Sequence, residues 1–240
     1  LCHYDQHPTV MKEIGRLREI AFRMVGEGTG SRRDLDKYDH YYQHLVLWDD
    51  DKLTIAGAYR LGVCGDILQQ RGMEALYTAN LFHYREGALQ FLPHAIELGR
   101  SFVNPAYWGK ASLEYLWQGL GAWLRHHPHI RYVIGPVSMS ANYPMVLRDL
   151  LVYYYQRYYQ PMDSRVTGRH PHLIAPELLA SFKTRFAQLE RHQAFAEMQQ
   201  QFHEKGQKVP TLFKQYAALY EDGGYQLLAF SVDSDFGQCI

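Results

Sequence analysis

The residues with the clearest chemical potential are charged side chains placed inside predicted β-strands. Arg60 falls near the end of one strand, and Glu97 and Arg100 interrupt the otherwise apolar run Ala95–Val103. Burying a charge costs free energy unless an opposite charge or hydrogen bonds compensate it, so we expect these three groups to form one ionic cluster. That cluster could take part in acid–base chemistry or bind a charged substrate. It could equally be an ion-pair network that only stabilises the fold.

The spacing of Glu97 and Arg100 bears on whether they can act together. Strand alternation places side chains three residues apart on opposite faces of a sheet. A β-bulge inserts one extra residue and would return both to the same face. Glycine is common at bulges, so we predict a bulge at Gly99.

Two further pairs of residues precede these strands. Arg18 and Phe22 are one turn apart on a predicted helix, and Asp36 and Asp39 lie three residues apart before the first strand. Each pair has an ordinary explanation, because an arginine on an amphipathic helix usually faces solvent and an acidic pair before a strand usually forms a turn or cap. Only their order along the chain, followed by Arg60, Glu97 and Arg100, is distinctive.

The elements that must position these residues follow from hydrophobic periodicity and from β-propensity. Apolar residues at three- and four-residue intervals after Pro8 predict a helix that ends at the glycines Gly26 to Gly30. Next we predict a β-hairpin at 44–48 and 53–61, an extended stretch at 81–84 and a short helix at 86–92. A strand at 95–103, a helix at 110–126 and a strand at 132–137 follow. The strand–helix–strand unit at the end of this series predicts a parallel crossover.

The second half is predicted to be mainly helical. Pro144, Pro176 and Pro210 can each begin a helix, and these helices are expected to end near Tyr159, Gly206 and Tyr220. Residues 157–172 are predicted as an irregular loop, and 226–232 as a strand that returns to the central sheet. The expected architecture is therefore α+β, with residues 1–240 forming a single domain.

Composition excludes several classes of protein. The chain has 240 residues, 47% hydrophobic and 21% charged, with 25 basic and 25 acidic residues balancing to zero net charge. This is the profile of an ordinary globular protein with no global attraction to nucleic acid. No apolar run reaches the length of a membrane-spanning helix, and no signal peptide is recognisable at the start. Because the chain does not begin with Met, we expect it to be a piece of a longer protein.

Cysteine and histidine usage argues against metal or disulfide chemistry. Cys2, Cys64 and Cys239 lie far apart without any C-x-x-C pair, which favours a reducing, cytoplasmic location. The 13 histidines include no H-E-x-x-H motif, so no metal site is predicted.

The chain resembles the branch of the GNAT superfamily that contains acyl-homoserine-lactone synthases, long-chain N-acyl amino acid synthases and the ornithine-lipid N-acyltransferases, some of them called hemolysin-like. Ornithine-lipid enzymes resemble it most. The segments that carry the resemblance extend over nearly the whole chain: 18–22, 36–39 with 44–46, 58–61, 97–103, 116–120, 210–216 and 233–236. The strand Glu97-Leu98-Gly99-Arg100 followed by Leu116-Trp117-Gln118-Gly119-Leu120 is the most specific of them.

This resemblance implies a GNAT fold with a mixed central sheet in which two parallel strands, 95–103 and 132–137, splay apart to admit an acyl thioester. The implied reaction transfers a long acyl chain, with or without a 3-hydroxyl group, to the α-amine of an amino acid, with ornithine the leading acceptor. No cofactor is bound permanently, since the acyl thioester is a co-substrate. The amphiphilic product implies work at the inner face of the cytoplasmic membrane, as a peripheral protein.

The resemblance also implies roles for individual residues. Glu97 would receive the amine proton, and Arg60 and Arg100 would keep Glu97 ionised and bind the substrate carboxylate. Asp39 joins this catalytic group. The positions implied for binding substrate or acyl donor, with backbone amides of 102 and 103 facing the thioester carbonyl, are Arg18, Phe22, Asp36, Phe102, Val103 and Ser138.

One segment departs from the pattern of CoA-using GNAT enzymes. Those enzymes cradle the CoA pyrophosphate with a glycine-rich loop after the first splayed strand, but this chain has 104–110, in which Pro105 offers no N–H. The departure favours acyl carrier protein over acyl-CoA as the donor. A basic cluster, Arg16, Arg18, Arg23, Arg32 and Arg33, would then be the docking site for this acidic partner, unless it is simply a solvated helix face and loop.

Two rival functions remain open. An autoinducer synthase of the same fold would use S-adenosylmethionine as the acceptor, although such enzymes carry a Trp in the linker after the first helix, which residues 26–33 lack. A non-catalytic module of the same fold that binds lipids or proteins is the other.

Overall fold

The computed structural model describes residues 1–163 and 165–240, so position 164, inside the predicted loop 157–172, lies outside the described residues. The helices and strands follow one another along the chain as α1 Pro8–Met24, β1 Gln43–Asp49, β2 Thr54–Val63, α2 Cys64–Arg71, β3 Phe82–Tyr84, β4 Ala95–Val103, α3 Ser112–Arg125, β5 Tyr132–Ile134, α4 Met145–Tyr159, β6 Val166–Gly168, α5 Pro176–Arg185, α6 Arg191–Glu204 and α7 Thr211–Ala218. Short 3-10 helices occupy several of the connections.

The chain divides into two compact units. The first comprises Leu1–Asn80, Glu86–Pro136 and Asp235–Gly237, and the second comprises Leu81–Arg85, Val137–Ser234 and Gln238–Ile240. Each unit has its own apolar core, and every charged residue singled out in the strands belongs to the first.

The first unit is built on a four-stranded sheet of order β1-β2-β4-β5. β2 is antiparallel to both of its neighbours, β1 and β4, and β5 runs parallel to β4 after the α3 crossover. The predicted hairpin, the strand at 95–103 and the parallel crossover are all confirmed, and so is the α+β class.

Strand alternation gives the sheet two covered faces. On one face Ile55, Ala58 and Phe102 pack beneath the buried stripe of α1. On the other face Leu61 and Leu98 pack against α3. Because Arg60 lies two residues from Ala58 along β2, its side chain points to the α1 face. The apolar stripe of α1 therefore covers the same face on which the strand charges are collected.

The second unit is largely helical. Its core is formed by the buried face of α4, including Tyr153, Tyr154 and Tyr155, packed against phenylalanines of α5, α6 and α7. β3 and β6 form a separate two-stranded antiparallel sheet in this unit.

Several predictions about the elements and their strand pairing are wrong. Residues 226–232 form no strand, and their described main-chain bonds go to Tyr159 and His170 instead. The helix predicted from Pro176 to Gly206 is two helices, because residues 186–190 leave the helical path between α5 and α6. The extended stretch at 81–84 pairs with β6 rather than with the central sheet. Among the described residues, no helix has the combination of length and apolarity that crossing a bilayer requires.

Candidate active site

Arg18 and Asp39 form a fully buried ion pair beneath α1. Arg18 Nη1 lies 2.9 Å from Asp39 Oδ1, and neither side chain has any exposed surface. The guanidinium also donates to the carbonyl of Asp34 at 3.3 Å and reaches Nδ1 of His44 at 3.1 Å. Arg18 therefore cannot belong to an exposed docking surface, and the predicted basic patch is wrong for this residue.

Electrostatics fix the protonation states of this group. Burial alone would raise the pKa of Asp39, but the positive charges of Arg18 and Arg60 outweigh it and hold the pKa at about 2. Burial and the charge of Arg18 lower the pKa of His44 to about 3. His44 is therefore a neutral imidazole whose Nδ1 accepts from Arg18.

Asp36 and Asp39 are held in place by local backbone contacts. They begin and end the first turn of a 3-10 helix, Lys37–His40, in a reciprocal capping box. Asp36 Oδ1 accepts from the amide of Tyr38 at 2.9 Å, and Asp39 Oδ2 accepts from the amide of Asp36 at 2.8 Å. The acidic pair is thus both a cap and an ion-pair partner, because each carboxylate also faces an arginine.

Arg60 is enclosed by carboxylates and aromatic rings. Its Nη1 lies 2.6 Å from Asp36 Oδ1 and 3.4 Å from Asp39 Oδ1. The rings of Tyr38, Tyr42 and Tyr77 surround the guanidinium at 5.0 to 5.5 Å. Burial would lower the pKa of Arg60, but Asp36 and Asp39 raise it above its ordinary value. Nε and Nη2 are buried without a hydrogen-bond partner among the described residues, so this guanidinium retains unused donors.

Arg100 lies at a β-bulge in β4. Arg60 pairs with Gly99 and Ala58 with Phe102, so β4 has one residue more than β2 over this stretch. The extra residue lies at 100–101 rather than at Gly99, and Arg100 adopts a left-handed conformation with φ of 48°. Glu97 and Arg100 consequently both reach Tyr77, as the predicted bulge requires.

The bulge directs the Arg100 guanidinium towards two aspartates and two rings. Its Nε lies 3.1 Å from Asp34 Oδ2 and its Nη2 lies 3.8 Å from Asp36 Oδ2. Nη1 donates to the Tyr77 hydroxyl at 3.0 Å, and the ring of Phe236 packs on the guanidinium at 4.6 Å. With 11% of its side chain exposed, Arg100 is the most accessible arginine of the cluster.

Glu97 is buried but has hydrogen-bond donors rather than arginines as partners. Oε2 accepts from the amide of Tyr77 at 3.0 Å and from the Tyr42 hydroxyl, and Oε1 accepts from the amide of Thr78 at 2.7 Å and from the Thr78 hydroxyl. The expectation that Arg60 and Arg100 pair with Glu97 is therefore wrong, since in the described chain both arginines pair with aspartates. Tyr77 still links the carboxylate to both guanidinium groups.

The parallel pairing of β4 and β5 ends where these groups begin. The pairs run from Ala95 with Tyr132 to Glu97 with Ile134, while β4 continues for six more residues to Val103. Gly135 follows at once, and a Cβ there would stand 2.2 Å from the carbonyl oxygen of Leu98. Phe102 and Val103 pair with β2 on one side and lie beyond the last β4–β5 pair on the other.

Two other predicted binding residues are placed differently. Phe22 packs edge-on against Phe236 at 5.0 Å, and Phe236 in turn covers Arg100, so Phe22 supports the cluster from α1. Ser138 belongs to the second unit, in the segment between β5 and α4.

Sequence reasoning missed several members of the cluster. Asp34, only 1% exposed, is the acidic partner of Arg100, and its position two residues before Asp36 was a readable signal. Burial raises the pKa of Asp34 more than Arg100 and Arg18 lower it. Tyr42 and Tyr77 carry no pattern in the sequence, and His44 was noted only as part of the segment 44–46. Only the sheet and the turn at 77–80 bring the three side chains together. In the described part of the chain, no three His, Cys, Asp or Glu side chains are arranged to hold a metal ion.

Comparison with known proteins identifies the kind of domain that carries this cluster. Residues 17–118, which include every arginine and carboxylate described above, match the family model for an acetyltransferase (GNAT) domain. A glycine N(alpha)-acyltransferase of Bacteroides thetaiotaomicron is 34% identical over 228 residues, which cover 90% of this chain and 67% of that protein. The chain belongs to the GNAT superfamily of acyltransferases. The resemblance and the fold predicted from the sequence are confirmed.

Other relatives of this GNAT chain differ in acceptor. An L-ornithine N(alpha)-acyltransferase of Brucella abortus is 32% identical over 149 residues, covering 55% of this chain and 50% of that protein. The chain thus spans half to two thirds of the length of these two curated relatives. A solved CoA-dependent acyl-homoserine lactone synthase with SAM and isopentyl-CoA aligns at a TM-score of 0.40 and 14% identity over 78% of this chain and 86% of that one.

Proposed function

We propose that this GNAT domain transfers a long acyl chain from a thioester to the α-amine of a small amino acid, with release of the free thiol. The observation that carries the proposal is the buried cluster of Arg18, Arg60 and Arg100 with three aspartates, located where β4 and β5 stop pairing. Acyl transfer to an amino acid requires recognition of a carboxylate, a route for the amine proton and access for a thioester. The cluster supplies residues suited to the first two, and the end of the strand pairing is suited to the third.

Arg100 is the residue proposed to bind the acceptor carboxylate. Its Nε side faces Asp34 and its Nη1 is used by Tyr77, while Nη2 has only a distant aspartate at 3.8 Å. A guanidinium held from one side by a carboxylate and a phenol presents its other edge in a fixed direction, which favours bidentate recognition of a planar anion. Arg60, with its unused donors, would add a second positive charge behind this edge.

Glu97 is the proposed final acceptor of the amine proton, which reaches it through an intervening side-chain hydroxyl group. Its oxygens are occupied by the hydroxyls of Tyr42 and Thr78, so a substrate proton would reach it by hydroxyl exchange. The hydroxyl passes its own proton to Glu97 and takes one from the amine as nitrogen attacks the thioester carbon. The C–S bond then breaks, and the departing thiolate takes the proton from Glu97. Starting from the neutral amine, one C–N bond forms, one C–S bond breaks and one proton moves from nitrogen to sulfur.

The acceptor is proposed to be glycine, with ornithine as the second candidate. The sequence predicts ornithine, but the relative that covers 90% of this chain is named for glycine, whereas the ornithine acyltransferases of Brucella abortus and Rhodobacter capsulatus cover 55% and 68%. Both acceptors share the α-amine and α-carboxylate that the proposed site would contact, so they differ only beyond the reacting atoms.

The donor is proposed to be an acyl thioester on carrier protein rather than on CoA. In the loop after β4, the amides of Asn104, Ala106, Tyr107, Trp108 and Lys110 all donate within the protein, and Pro105 has no N–H. Amides already used in this way are poorly placed to cradle a pyrophosphate. A carrier-bound arm brings only one phosphodiester and needs no such cradle. The 3-hydroxyl group on the chain and a site of action at the cytoplasmic membrane surface, where an amphiphilic product would partition, complete the proposal.

A mixing assay with mass spectrometry tests the proposal. The purified protein is incubated with a long-chain 3-hydroxyacyl thioester, on carrier protein or on CoA, and with glycine, ornithine or S-adenosylmethionine. We expect an N-acylated amino acid and stoichiometric free thiol with glycine, and less product with ornithine. Product only with S-adenosylmethionine would instead indicate an autoinducer synthase. No product with any donor and acceptor, from protein that unfolds cooperatively, would overturn the proposed activity and leave a non-catalytic binding module.

A further inference from the structure

We propose that the outward face of α1 and the loop behind it form the docking surface for the acidic protein that carries the acyl thioester, an inference that rests on the proposed function. This surface, called the α1 patch below, consists of exposed side chains from two segments: Lys12, Arg16, Ile20, Arg23, Met24, Arg32 and Arg33. It differs from the basic cluster predicted from sequence by losing the buried Arg18 and by gaining Lys12 and two exposed aliphatic residues, Ile20 and Met24.

Helix geometry brings the α1 part of the patch together. Residues four apart are neighbours on a helix surface, so Lys12, Arg16, Ile20 and Met24 form one continuous row. All four are exposed, with Ile20 at 38% and Met24 at 59%. The buried stripe of α1 lies on the opposite side and is held against the sheet. Because α1 is fixed on the sheet in this way, the exposed row faces away from the sheet in a defined direction.

The loop part of the patch is fastened alongside this row. Asp34 donates its amide to the carbonyl of Gly15 at 2.9 Å, and Glu19 accepts the amides of Thr29 and Gly30 at 3.1 and 2.9 Å. Arg23 Nη2 donates to the carbonyl of Ser31 at 2.7 Å. The loop consequently runs back along the neighbouring row 15–19–23, which places Arg32 and Arg33 beside the exposed row.

The patch has an excess of positive charge. Arg16 is paired with Glu13 and Arg23 with Glu19. Lys12, Arg32 and Arg33 have no carboxylate within ion-pair distance among the described residues, although Arg33 also acts electrostatically on Glu13. The patch therefore carries more cations than the carboxylates beside it can pair. A protein with no net charge overall that collects uncompensated cations on one face favours an acidic partner there by charge complementarity.

The patch is connected directly to the proposed reaction centre. Arg33 is followed by Asp34, whose carboxylate faces Arg100. At the other end of the loop, the carbonyl oxygen of Gly26 lies 3.6 Å from the Cβ position of Gly237, next to the Phe236 ring that covers Arg100. A carrier docked on the patch would therefore deliver its thioester arm close to the cluster.

The side-chain chemistry favours a protein over a lipid surface. Membrane-interface patches are enriched in Trp and Tyr, and the α1 patch contains neither. Its cations are mainly arginines, which bind carboxylates in bidentate fashion, and its most exposed apolar residue is a methionine, which adapts to protein surfaces.

Steady-state kinetics with two donors test the inference. We compare the unmodified protein with Arg32→Glu/Arg33→Glu, using the same acyl group on carrier protein and on pantetheine alone, which has no protein to dock. With acyl carrier protein we expect KM to rise roughly tenfold or more and to become less sensitive to salt, because charge reversal removes electrostatic attraction. With acyl-pantetheine, KM and kcat should stay within about twofold, since neither arginine contacts the reacting atoms.

A matched charge reversal elsewhere controls for net charge. Arg125 and Arg131 are exposed in the same unit, outside the patch, and Arg125→Glu/Arg131→Glu should leave both donors unaffected. Equal KM changes for both donors, or for both double variants, would overturn the inference. So would loss of binding to vesicles of anionic phospholipid with an unchanged KM for acyl carrier protein. If the unmodified protein acylates from pantetheine but not from carrier protein, the docking surface and the proposed donor are refuted while N-acyl transfer stands. Failure of the unmodified protein with both donors would refute the proposed function itself.

Discussion

The carboxylate of Asp34 lies 3.1 Å from Nε of Arg100, the one arginine of the cluster that combines a left-handed backbone with partial exposure. Asp34 is thus the positioning residue for the proposed carboxylate-binding arginine. The pair joins the loop after α1 to the bulge in β4, which are 66 positions apart along the chain.

Replacing Arg100 by lysine should impair acceptor binding more than acyl transfer itself. Lysine keeps the charge but loses the planar fork that faces Asp34 and Tyr77, and hydrogen bonds to charged groups contribute about 1.5–3 kcal/mol. We expect KM for the amino acid to rise roughly 10- to 100-fold with a smaller change in kcat. Asp34→Asn should show the same split to a lesser degree. An unchanged KM for the amino acid in both variants would remove Arg100 from the proposed carboxylate site.

Breaking the buried Arg18–Asp39 pair from one side should destabilise the protein severely. Arg18→Met leaves Asp39 buried with one arginine fewer, and Asp39→Asn leaves Arg18 uncompensated, each costing about 3–5 kcal/mol. Urea unfolding measures this loss. The exposed pair of Arg16 with Glu13 provides the control, because Arg16→Met should cost less than about 1 kcal/mol. Similar costs for Arg18→Met and Arg16→Met would contradict the prediction.

Stability should fall on acidification in a window set by His44. The folded pKa of His44 is about 3 and its ordinary value is 6.5, so between these values the unfolded chain binds a proton that the folded chain does not. The contribution of neutral His44 to the free energy of unfolding is therefore fully present above pH 6.5 and is lost progressively towards pH 3. Asp39, with a pKa of about 2 against an ordinary 3.8, adds a second loss below pH 3.8.

The variant His44→Asn isolates the first of these losses. Asparagine keeps an acceptor facing Arg18 but does not titrate, so the loss of stability that His44 contributes between pH 6.5 and 4 should be absent from the variant. The raised pKa of Asp34 acts in the opposite direction and is common to both proteins, so it cancels in the comparison. An unaltered pH slope in the variant would show that His44 is not the titrating group.

Glu97→Gln should abolish the basic function of the proposed relay. We expect kcat to fall by at least 100-fold, in the range typical of a lost general base, with a much smaller change in KM for the amino acid. Tyr42→Phe and Thr78→Val each remove one hydroxyl, so the more damaging of the two identifies the relay. If Glu97 is purely structural, Glu97→Gln would instead lower the free energy of unfolding while leaving kcat of the folded protein nearly unchanged.

Gly62→Ala should destabilise the protein through Tyr42. A Cβ at position 62 would lie 2.3 Å from Cε1 of the Tyr42 ring, and such overpacking costs about 1–3 kcal/mol. Displacing the ring would also disturb Arg60 and Glu97, which Tyr42 contacts. Gly99 in β4 is the matched control, since a Cβ there meets no atom within 4 Å. Thermal unfolding should therefore separate the two variants, and equal melting temperatures would contradict the proposed close packing.

The extent to which sequence alone predicted the site can be judged from Glu97 and Arg100. Their placement in one strand, their unusual burial and the need for a bulge all followed from residue type and spacing. Their partners could not be predicted, because a charged residue in a strand indicates only that it needs an ion-pair or hydrogen-bond partner and not which residue provides one. The aspartates at 34, 36 and 39 compensate the arginines, while amides and hydroxyls compensate Glu97.

By itself, the sequence determined the elements with strong local signals. These elements are the helix of residues 8–24, the hairpin, the strand at 95–103 and the parallel crossover. Each depends on hydrophobic periodicity or β-propensity within a short stretch of sequence. The tertiary structure alone decided the rest. It brought Tyr42, His44 and Tyr77 to the arginines, shifted the bulge to Arg100, buried Arg18 and kept residues 226–232 out of the sheet. Those outcomes depend on contacts between residues distant in the chain, and such contacts leave no periodic trace in the order of the amino acids.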